Sequence, residues 1–291
     1  MTKIILGHTG FIGKSISKIF SNFEKDLIKI SRDQINFLSE NSPEDLKNIL
    51  SRNADVIMCI GIKKQYGDNF DNWKKNEIIL QNFIKSLILK PPRHLIYISS
   101  ASVYGEDTQF KNLISENTPI NLRSYYAISK FNSENVVKKV CEDLNIPLLC
   151  LRPPLIYGGN DTSLGYGPTQ FADKAIKGED IEVWGDGSEK REFIWVDDLA
   201  HLCKEIFNKK TVGTFNNVSG KSYSYMEIIY ELNKILGTNI KIIQKKRSKE
   251  KVDHNFSNSL HKHTFPNFKY TDLKTGLNNL CEELKNKKNN E

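Results

Sequence analysis

The sequence predicts an α/β fold, a doubly wound parallel sheet followed by a smaller mixed C-terminal lobe. Three observations carry this. Short apolar runs alternate with helical stretches through the first half of the chain, the pattern of a parallel sheet covered on both faces. A glycine turn stands directly behind the first apolar run, as in sheets of the Rossmann type. Beyond about residue 152 the strand-like pieces shorten and lose their regular spacing. The expected division is 1–160 for the sheet domain and 161–291 for the smaller lobe, with some return of chain to the sheet near 193–218.

The elements follow in order. "KIIL" (3–6) is a strand, then a glycine turn and a helix to about Phe20. "LIKI" (27–30) is the second strand. "SPEDLKNIL" opens a helix, with Ser42 expected at the N-cap and Pro43 in the first turn. "DVIMCI" (55–60) is a buried strand, and "WKKNEIILQNFIKSLIL" a long helix stopped by Pro91 and Pro92. "HLIYISS" (94–100), a helix over 125–144 and "PLLCLR" (147–152) complete the alternation. In the second half, "IEVW" and "EFIWV" read as short strands, and Asp197 or Asp198 as the cap of the helix that follows. "SYMEIIYELNKILG" reads as a helix with a capping box from Ser224 to Glu227 and Gly237 at its end.

Composition removes several classes of function. The five cysteines form no CxxC pair, which argues against a disulfide framework or a zinc site, and a reducing cytoplasm is the expected home. His254, His261 and His263 have no carboxylate or cysteine at ligand spacing, so no metal is expected. No apolar run reaches the roughly 20 residues that cross a bilayer, and the first residues lack the form of a signal peptide, so no membrane association is expected. The net charge of +7 suits a phosphate-rich ligand or a lysine-rich solvated surface. The runs "KIIQKKRSKEK" and "LKNKKNN" read as solvated loop and tail. Aromatic–basic interleaving and known nucleic-acid modules are absent, so no nucleic-acid partner is expected.

Chemistry concentrates where strands end. In "KIILGHTGFIG", Gly7 permits a tight turn, Gly10 lets backbone approach a pyrophosphate at a helix N-terminus, and Gly13 allows close helix–strand packing. Behind the second strand stand Ser31 and Arg32, where an NAD site would carry an acid. A guanidinium matches a 2′-phosphate, so NADP(H) is favoured over NAD(H), with Asp33 the counter-argument. Ser99, Ser100 and Ser102 lie at or beyond the end of the fourth strand. Tyr126 and Lys130 lie one turn apart on the next helix. A serine hydroxyl polarises a carbonyl, a tyrosine passes it a proton, and an ammonium nearby is expected to lower the tyrosine pKa. Tyr125, about 100° round the helix from Tyr126, is expected to be a packing or substrate-rim residue.

Taken together and in this order, GHTGFIG, "SSASVYG", "YAISK" and "LRPPLIYG" resemble the extended short-chain dehydrogenase/reductases, the NAD(P)-dependent epimerase/dehydratase family acting on nucleotide sugars. The resemblance implies a catalytic set of Ser100, Tyr126 and Lys130, and a structural glutamate at Glu134. It implies cofactor contacts from Gly7, Thr9, Gly10, Phe11, Ile12 and Gly13, then Ser31, Arg32 and Asn36. Ile60, Gly61, Asn76, Ser99, Tyr126, Lys130 and Pro153 complete that set, with Pro154 near the nicotinamide. Substrate contacts fall to Ser102, Leu155, Trp184 and Arg191. A surface ion pair is the other reading of Arg191, and a core position the other reading of Trp184. The resemblance also implies a homodimer through the helix bearing Tyr126 and the one before it.

Departures narrow the reaction. Sugar 4,6-dehydratases carry an Asp-Glu pair where this chain has Ala101 and Ser102, so water elimination lacks its acids. Within the family, "SRDQINFL" and "VWGDGSEKREFIWVDDLA" are most similar to nucleotide-sugar 4-keto reductases such as GDP-L-fucose synthase. The cysteine and histidine that such enzymes use for epimerisation correspond to Ser102 and to "SLGYGPTQF", which has no histidine. Leu155 replaces the family's phosphate-side asparagine. The expectation is NADPH-dependent reduction of a 4-keto-6-deoxy sugar nucleotide. A 4-epimerase with retained NAD is the alternative, and a non-catalytic cofactor-sensing or RNA-binding relative the second.

Overall fold

The computed structural model describes residues 1–288, and they divide into two compact units. The first comprises Met1–Glu106, Thr118–Pro153 and Leu199–Asn217; the second comprises Asp107–Asn117, Pro154–Asp198 and the chain from Val218 onward. The segment Asp107–Asn117 joins the second unit although it lies within the first half of the sequence.

The first unit is built on a six-stranded parallel sheet. In chain order its elements are β1 (Thr2–Leu6), α1 (Phe11–Ser21), β2 (Leu27–Ile30), α2 (Ser42–Lys47), β3 (Ala54–Met58), α3 (Phe70–Leu89), β4 (His94–Ile98), α4 (Tyr125–Asp143) and β5 (Leu148–Arg152). The sheet runs β2-β1-β3-β4-β5 and ends on β9 (Gly213–Asn216), which lies parallel to β5. The fold class is therefore the doubly wound α/β sheet expected. Strand order reverses at β1, flanked by β2 and β3, so the crevice beyond the carboxyl ends of these strands is where a ligand belongs. Both β3 and β4 are buried along their whole length, which explains why they read as continuous apolar runs rather than alternating ones. Phe83 and Leu87 of α3 and Val137 of α4 are buried in the same core as β1, β3 and β4.

The second unit has a three-stranded sheet of β10 (Ser222–Ser224), β8 (Lys190–Trp195) and β6 (Leu155–Tyr157). It also has a parallel pair, β11 (Ile242–Lys245) with β7 (Ile181–Trp184). Around these stand α5 (Pro168–Lys177), α7 (Tyr225–Leu236), α8 (Ser259–Thr264) and α9 (Leu273–Lys288), while α6 (Val196–Lys209) leads chain into the first unit. Helix α7 has both arms of the expected capping box, and Gly237 closes it in the left-handed region at φ +63°.

Four sequence expectations change. Ser42 is the first helical residue, not the cap; Asn41 holds the cap position without a side-chain bond, and the Ser42 hydroxyl donates to the Ser39 carbonyl. Asp197 and Asp198 lie inside the first turn of α6, and Asp198 accepts from the backbone and hydroxyl of Thr271. The run 241–251 is not all loop, because Ile242–Lys245 is strand β11. "LKNKKNN" continues α9 to Lys288, and its last residues lie outside those described.

Candidate active site

In the first unit the phosphate loop behaves as its glycines predict. Gly7 turns the chain at φ +89°, a conformation open to glycine at little strain, and its N–H donates to the Ile30 carbonyl at 2.8 Å. A Cβ on Gly13 would overlap the Gly7 carbonyl oxygen and stand 2.9 Å from His8 Cα, so helix α1 packs on the loop only as glycine. Gly10 caps α1 with no side-chain bond, and the first turn holds no acid. The leading N–H groups of α1 are thus presented toward solvent chemistry at the positive end of the helix, the arrangement that holds a phosphate.

A cleft opens beside this loop. Gly7, Thr9 and Gly10 line it together with Arg32, Asn36, Ile60 and Gly61, so residues behind β1, β2 and β3 converge at the reversal of strand order. Phe11 and Ile12 follow in the first turn of α1. Ser31 is buried with its N–H on the Gln34 side chain, and it does not line the cleft. Arg32 lines the cleft and is exposed, whereas Asp33 does not line it. These residues fit a dinucleotide: a helix start without side-chain cap or acid for a pyrophosphate, a loop packed too closely on α1 for any side chain at Gly13, and a cation beyond the second strand.

The proposed catalytic residues come together around the end of β4. Ser100 caps a 3-10 turn over Ala101–Tyr104, accepting from Ser102 N–H at 3.1 Å, and its hydroxyl is bonded to Tyr126. Ser124 caps α4 through Ala127 N–H at 3.1 Å, placing Tyr126 in the first turn and Lys130 one turn on. Lys130 is buried, donates to the Ile98 carbonyl at 2.8 Å, and lies 5.9 Å from the centre of the Tyr126 ring. Asn76 of α3 grips Ile62, accepting from its N–H at 2.8 Å and donating to its carbonyl at 3.2 Å. It thereby holds the strand-end segment that contains Gly61 against Lys130.

The electrostatics differ from expectation in one respect. Burial of the Tyr126 hydroxyl pushes its pKa up to about 12, with the Ser100 bond pulling it down and the Glu106 charge adding to the rise. Lys130, 5.9 Å from the ring centre, is not among the groups that set this direction. Burial instead draws Lys130 itself down to about 8, against the opposing influence of Cys59 and Glu134. An ammonium inside the protein loses more from dehydration than the neighbouring acidic groups return to it.

Glu134 is structural, as expected. It is buried, accepts from the Ser99 hydroxyl, and takes Arg152 in a fork at 2.6, 2.9 and 3.2 Å. Arg152 also donates to Tyr104 at 2.9 Å, and Tyr104 in turn to Asn216 at 2.9 Å. The Ser99 hydroxyl, assigned to the cofactor from sequence, is therefore engaged inside the protein. Pro153 is buried and accepts from Ala101 N–H at 2.8 Å, fixing the turn that follows Ser100, and Pro154 begins the second unit's chain. The hydroxyl of Ser102 is buried without a hydrogen-bond partner. Tyr125 is 43% exposed, edge-on to Phe70 at 6.4 Å, in keeping with a packing or rim residue.

In the second unit a separate cleft contains Trp184 and Arg191 together with Tyr166, Glu189, Tyr225 and Arg247. Trp184 is 47% exposed, which excludes the core position. Arg191 is ion-paired to Glu189 at 2.6 Å, the alternative weighed from sequence, yet both line the cleft. Leu155 is exposed at the start of β6 and does not line it. Sequence reasoning missed Glu189, Tyr166 and Arg247. Arg247 was hidden in a lysine-rich run; the signal was the pair of isoleucines ahead of it, which form β11 and end beside Trp184. His254 and His261 bond to the Thr108 carbonyl and the Tyr270 hydroxyl, and no cluster of potential metal ligands occurs among the described residues. No helix among them is long and apolar enough to cross a membrane.

A family model described as the NAD dependent epimerase/dehydratase family matches residues 4–218, and the chain belongs to that family. An uncharacterized UDP-glucose epimerase of Bacillus subtilis is 24% identical over 249 residues, 80% of this chain and 74% of that protein. A dTDP-glucose 4,6-dehydratase of Neisseria gonorrhoeae is 27% identical over 132 residues, 43% of this chain and only 36% of that protein. Among solved structures, UDP-glucose 4-epimerase of Thermotoga maritima with UDP-glucose superposes with a TM-score of 0.86 at 18% identity, covering 99% of each chain. RMD from Pseudomonas aeruginosa complexed with NADPH gives 0.83 at 20% identity, covering 98% of this chain and 100% of that one. At these identities the structural likenesses speak for the fold.

Proposed function

We propose that the protein is an NADP(H)-dependent oxidoreductase of nucleotide-diphosphate sugars that reduces a 4-keto-6-deoxy sugar nucleotide. The observation that carries this reading is the convergence of Ser100, Tyr126 and Lys130 at the end of β4, with the Tyr126 phenol bonded to Ser100. A carbonyl that receives hydride becomes an alkoxide, a stronger base than a phenolate, so the Tyr126 phenol can protonate it even though burial makes it a weaker acid.

The nicotinamide cofactor, when bound, supplies the hydride. The chain's own groups do the rest. Ser100 orients the carbonyl oxygen, Tyr126 protonates it, and Lys130 organises the strand end through the Ile98 carbonyl and would hold a ribose hydroxyl of the cofactor. The N–H groups opening α1 hold the pyrophosphate, and Arg32 takes the 2′-phosphate, which supports NADP(H) over NAD(H). Ala101 and Ser102 offer no acid pair and no activated base, which supports reduction without dehydration or epimerisation beside the ketone. In the second unit Arg191 and Arg247 suit a diphosphate, and exposed Trp184 suits a base.

The test is NADPH oxidation against a panel of 4-keto sugar nucleotides, with the product configuration read by NMR. No consumption with any of them, or epimerisation at C3 or C5, refutes the reading. The second reading, a 4-epimerase with retained NAD, is favoured by the epimerases among the relatives. Tightly held oxidised cofactor and turnover without added NADPH would select it. A homodimer through α3 and α4 belongs to the same proposal. Phe70, Tyr125 and Ile128 support it, being 57%, 43% and 39% exposed on those helices. Sedimentation as a monomer at micromolar concentration refutes it.

A further inference from the structure

The cleft of the second unit holds its two arginines on one carboxylate. Glu189 binds Arg191 through one oxygen at 2.6 Å and Arg247 through the other. All three side chains are 14–20% exposed, so the triad is set into the cleft wall rather than spread over the surface. Arg247 is built in: Gly185, at φ +63°, leaves the space its side chain crosses, and a Cβ there would collide with it. Its Nη2 is buried without a hydrogen-bond partner and stands 4.0 Å from an Asp186 carboxylate oxygen. Among the lining residues three cations, Arg191, Arg247 and Lys249, face three carboxylates, Asp107, Glu189 and Glu250. The cleft is charge-balanced, and Glu189 is the group that balances the arginines.

We propose that Glu189 is an internal counter-ion that a diphosphate must displace, and that it thereby sets the affinity and selectivity of this cleft. The proposal rests on the reading of the substrate as a nucleotide diphosphate. A diphosphate offers enough oxygens to take over both guanidinium groups and to reach the unpartnered Nη2 of Arg247. A monophosphate has oxygens enough for the two bonds of Glu189, but it carries less charge and spans less than a diphosphate, so it competes less well with the carboxylate. Glu189 therefore holds the arginines in place when the cleft is empty and discriminates against smaller anions.

The experiment is titration of the full chain with inorganic pyrophosphate and with inorganic phosphate at fixed ionic strength, followed by calorimetry and by tryptophan fluorescence, since Trp184 lines the cleft. Wild type is compared with Glu189→Gln and Glu189→Ala. Removing one negative charge within a few ångströms of the ligand is expected to tighten pyrophosphate binding by about tenfold or more, discounted for the open mouth of the cleft. Phosphate is expected to gain proportionally more than pyrophosphate, so the discrimination narrows. Equal or weaker pyrophosphate binding in both variants overturns the proposal. So does unfolding of both, because Arg191 retains its bonds to the carbonyls of Lys190 and Val252 and the fold does not otherwise require Glu189. UDP, GDP and dTDP are titrated in parallel. If none binds more tightly than pyrophosphate, the nucleotide reading fails while the Glu189 result stands by itself.

Discussion

Replacing Glu134 tests the internal support of the strand end that precedes Ser100. The Arg152–Glu134 pair has both side chains 6% exposed, with three nitrogen–oxygen contacts between 2.6 and 3.2 Å. Glu134→Leu leaves the guanidinium with only Tyr104 as a described side-chain partner, at 2.9 Å. At about 4 Å and the effective dielectric of a protein, the attraction of such a pair is about 4 kcal/mol, and breaking one partner of a buried pair costs about 3–5 kcal/mol. Glu134→Gln keeps an acceptor for Ser99 and for one Arg152 nitrogen, so it belongs at the lower end of that range. The double variant Glu134→Leu/Arg152→Met removes the stranded charge, and Tyr104 keeps Asn216 as its acceptor. It is expected to be at least about 2 kcal/mol more stable than Glu134→Leu alone. Equilibrium urea unfolding followed by circular dichroism measures all four proteins. A loss below about 1 kcal/mol in Glu134→Leu, or a double variant no better than the single, would refute the argument that burial makes this pair structural.

Tyr126→Phe is expected to lower the catalytic rate by at least about a hundredfold, the usual range for a lost general acid, while leaving the cofactor dissociation constant unchanged. Arg32→Ala should weaken NADPH binding by about tenfold or more and leave NADH nearly unaffected, read from fluorescence titrations of both; equal losses would remove Arg32 from the 2′-phosphate. Glu192 in β8 is buried with its pKa raised from 4.5 to about 7, chiefly by burial, against the opposing bonds from Ser219 and Gly220. In the folded state it therefore holds its proton more tightly than when unfolded. The associated stability is complete below pH 4.5 and is lost as pH rises through about 7, a change of about 3 kcal/mol. Glu192→Gln should flatten that slope in melts taken from pH 5 to 8; an unaltered slope argues against a buried acid. Gly13→Ala should cost about 1–3 kcal/mol by overpacking and abolish cofactor binding, and a variant that binds NADPH normally would contradict the close approach of α1 to the loop.

Much of this protein was legible in its sequence because the deciding interactions are local. The spacing of Gly7, Gly10 and Gly13 behind an apolar run specifies a turn and a helix start within a dozen residues. Tyr126 and Lys130 share a face because a helix repeats every 3.6 residues, and Ser224 and Glu227 cap α7 through bonds that span one turn. What the chain alone left open depends on partners distant in sequence or on burial. The segment Asp107–Asn117 belongs with residues more than a hundred positions later, and nothing in its own pattern announces that. Arg247 sits in a run that composition marks as solvated, yet β11 aligns beside β7 and brings it to Glu189, 58 residues away in the chain. The proton balance of Tyr126 and Lys130 was misjudged for the same reason. Their spacing is a property of the helix, but their pKa values follow the water each loses, and that is set by β4, Ile98 and Glu106, which only the tertiary structure puts around them.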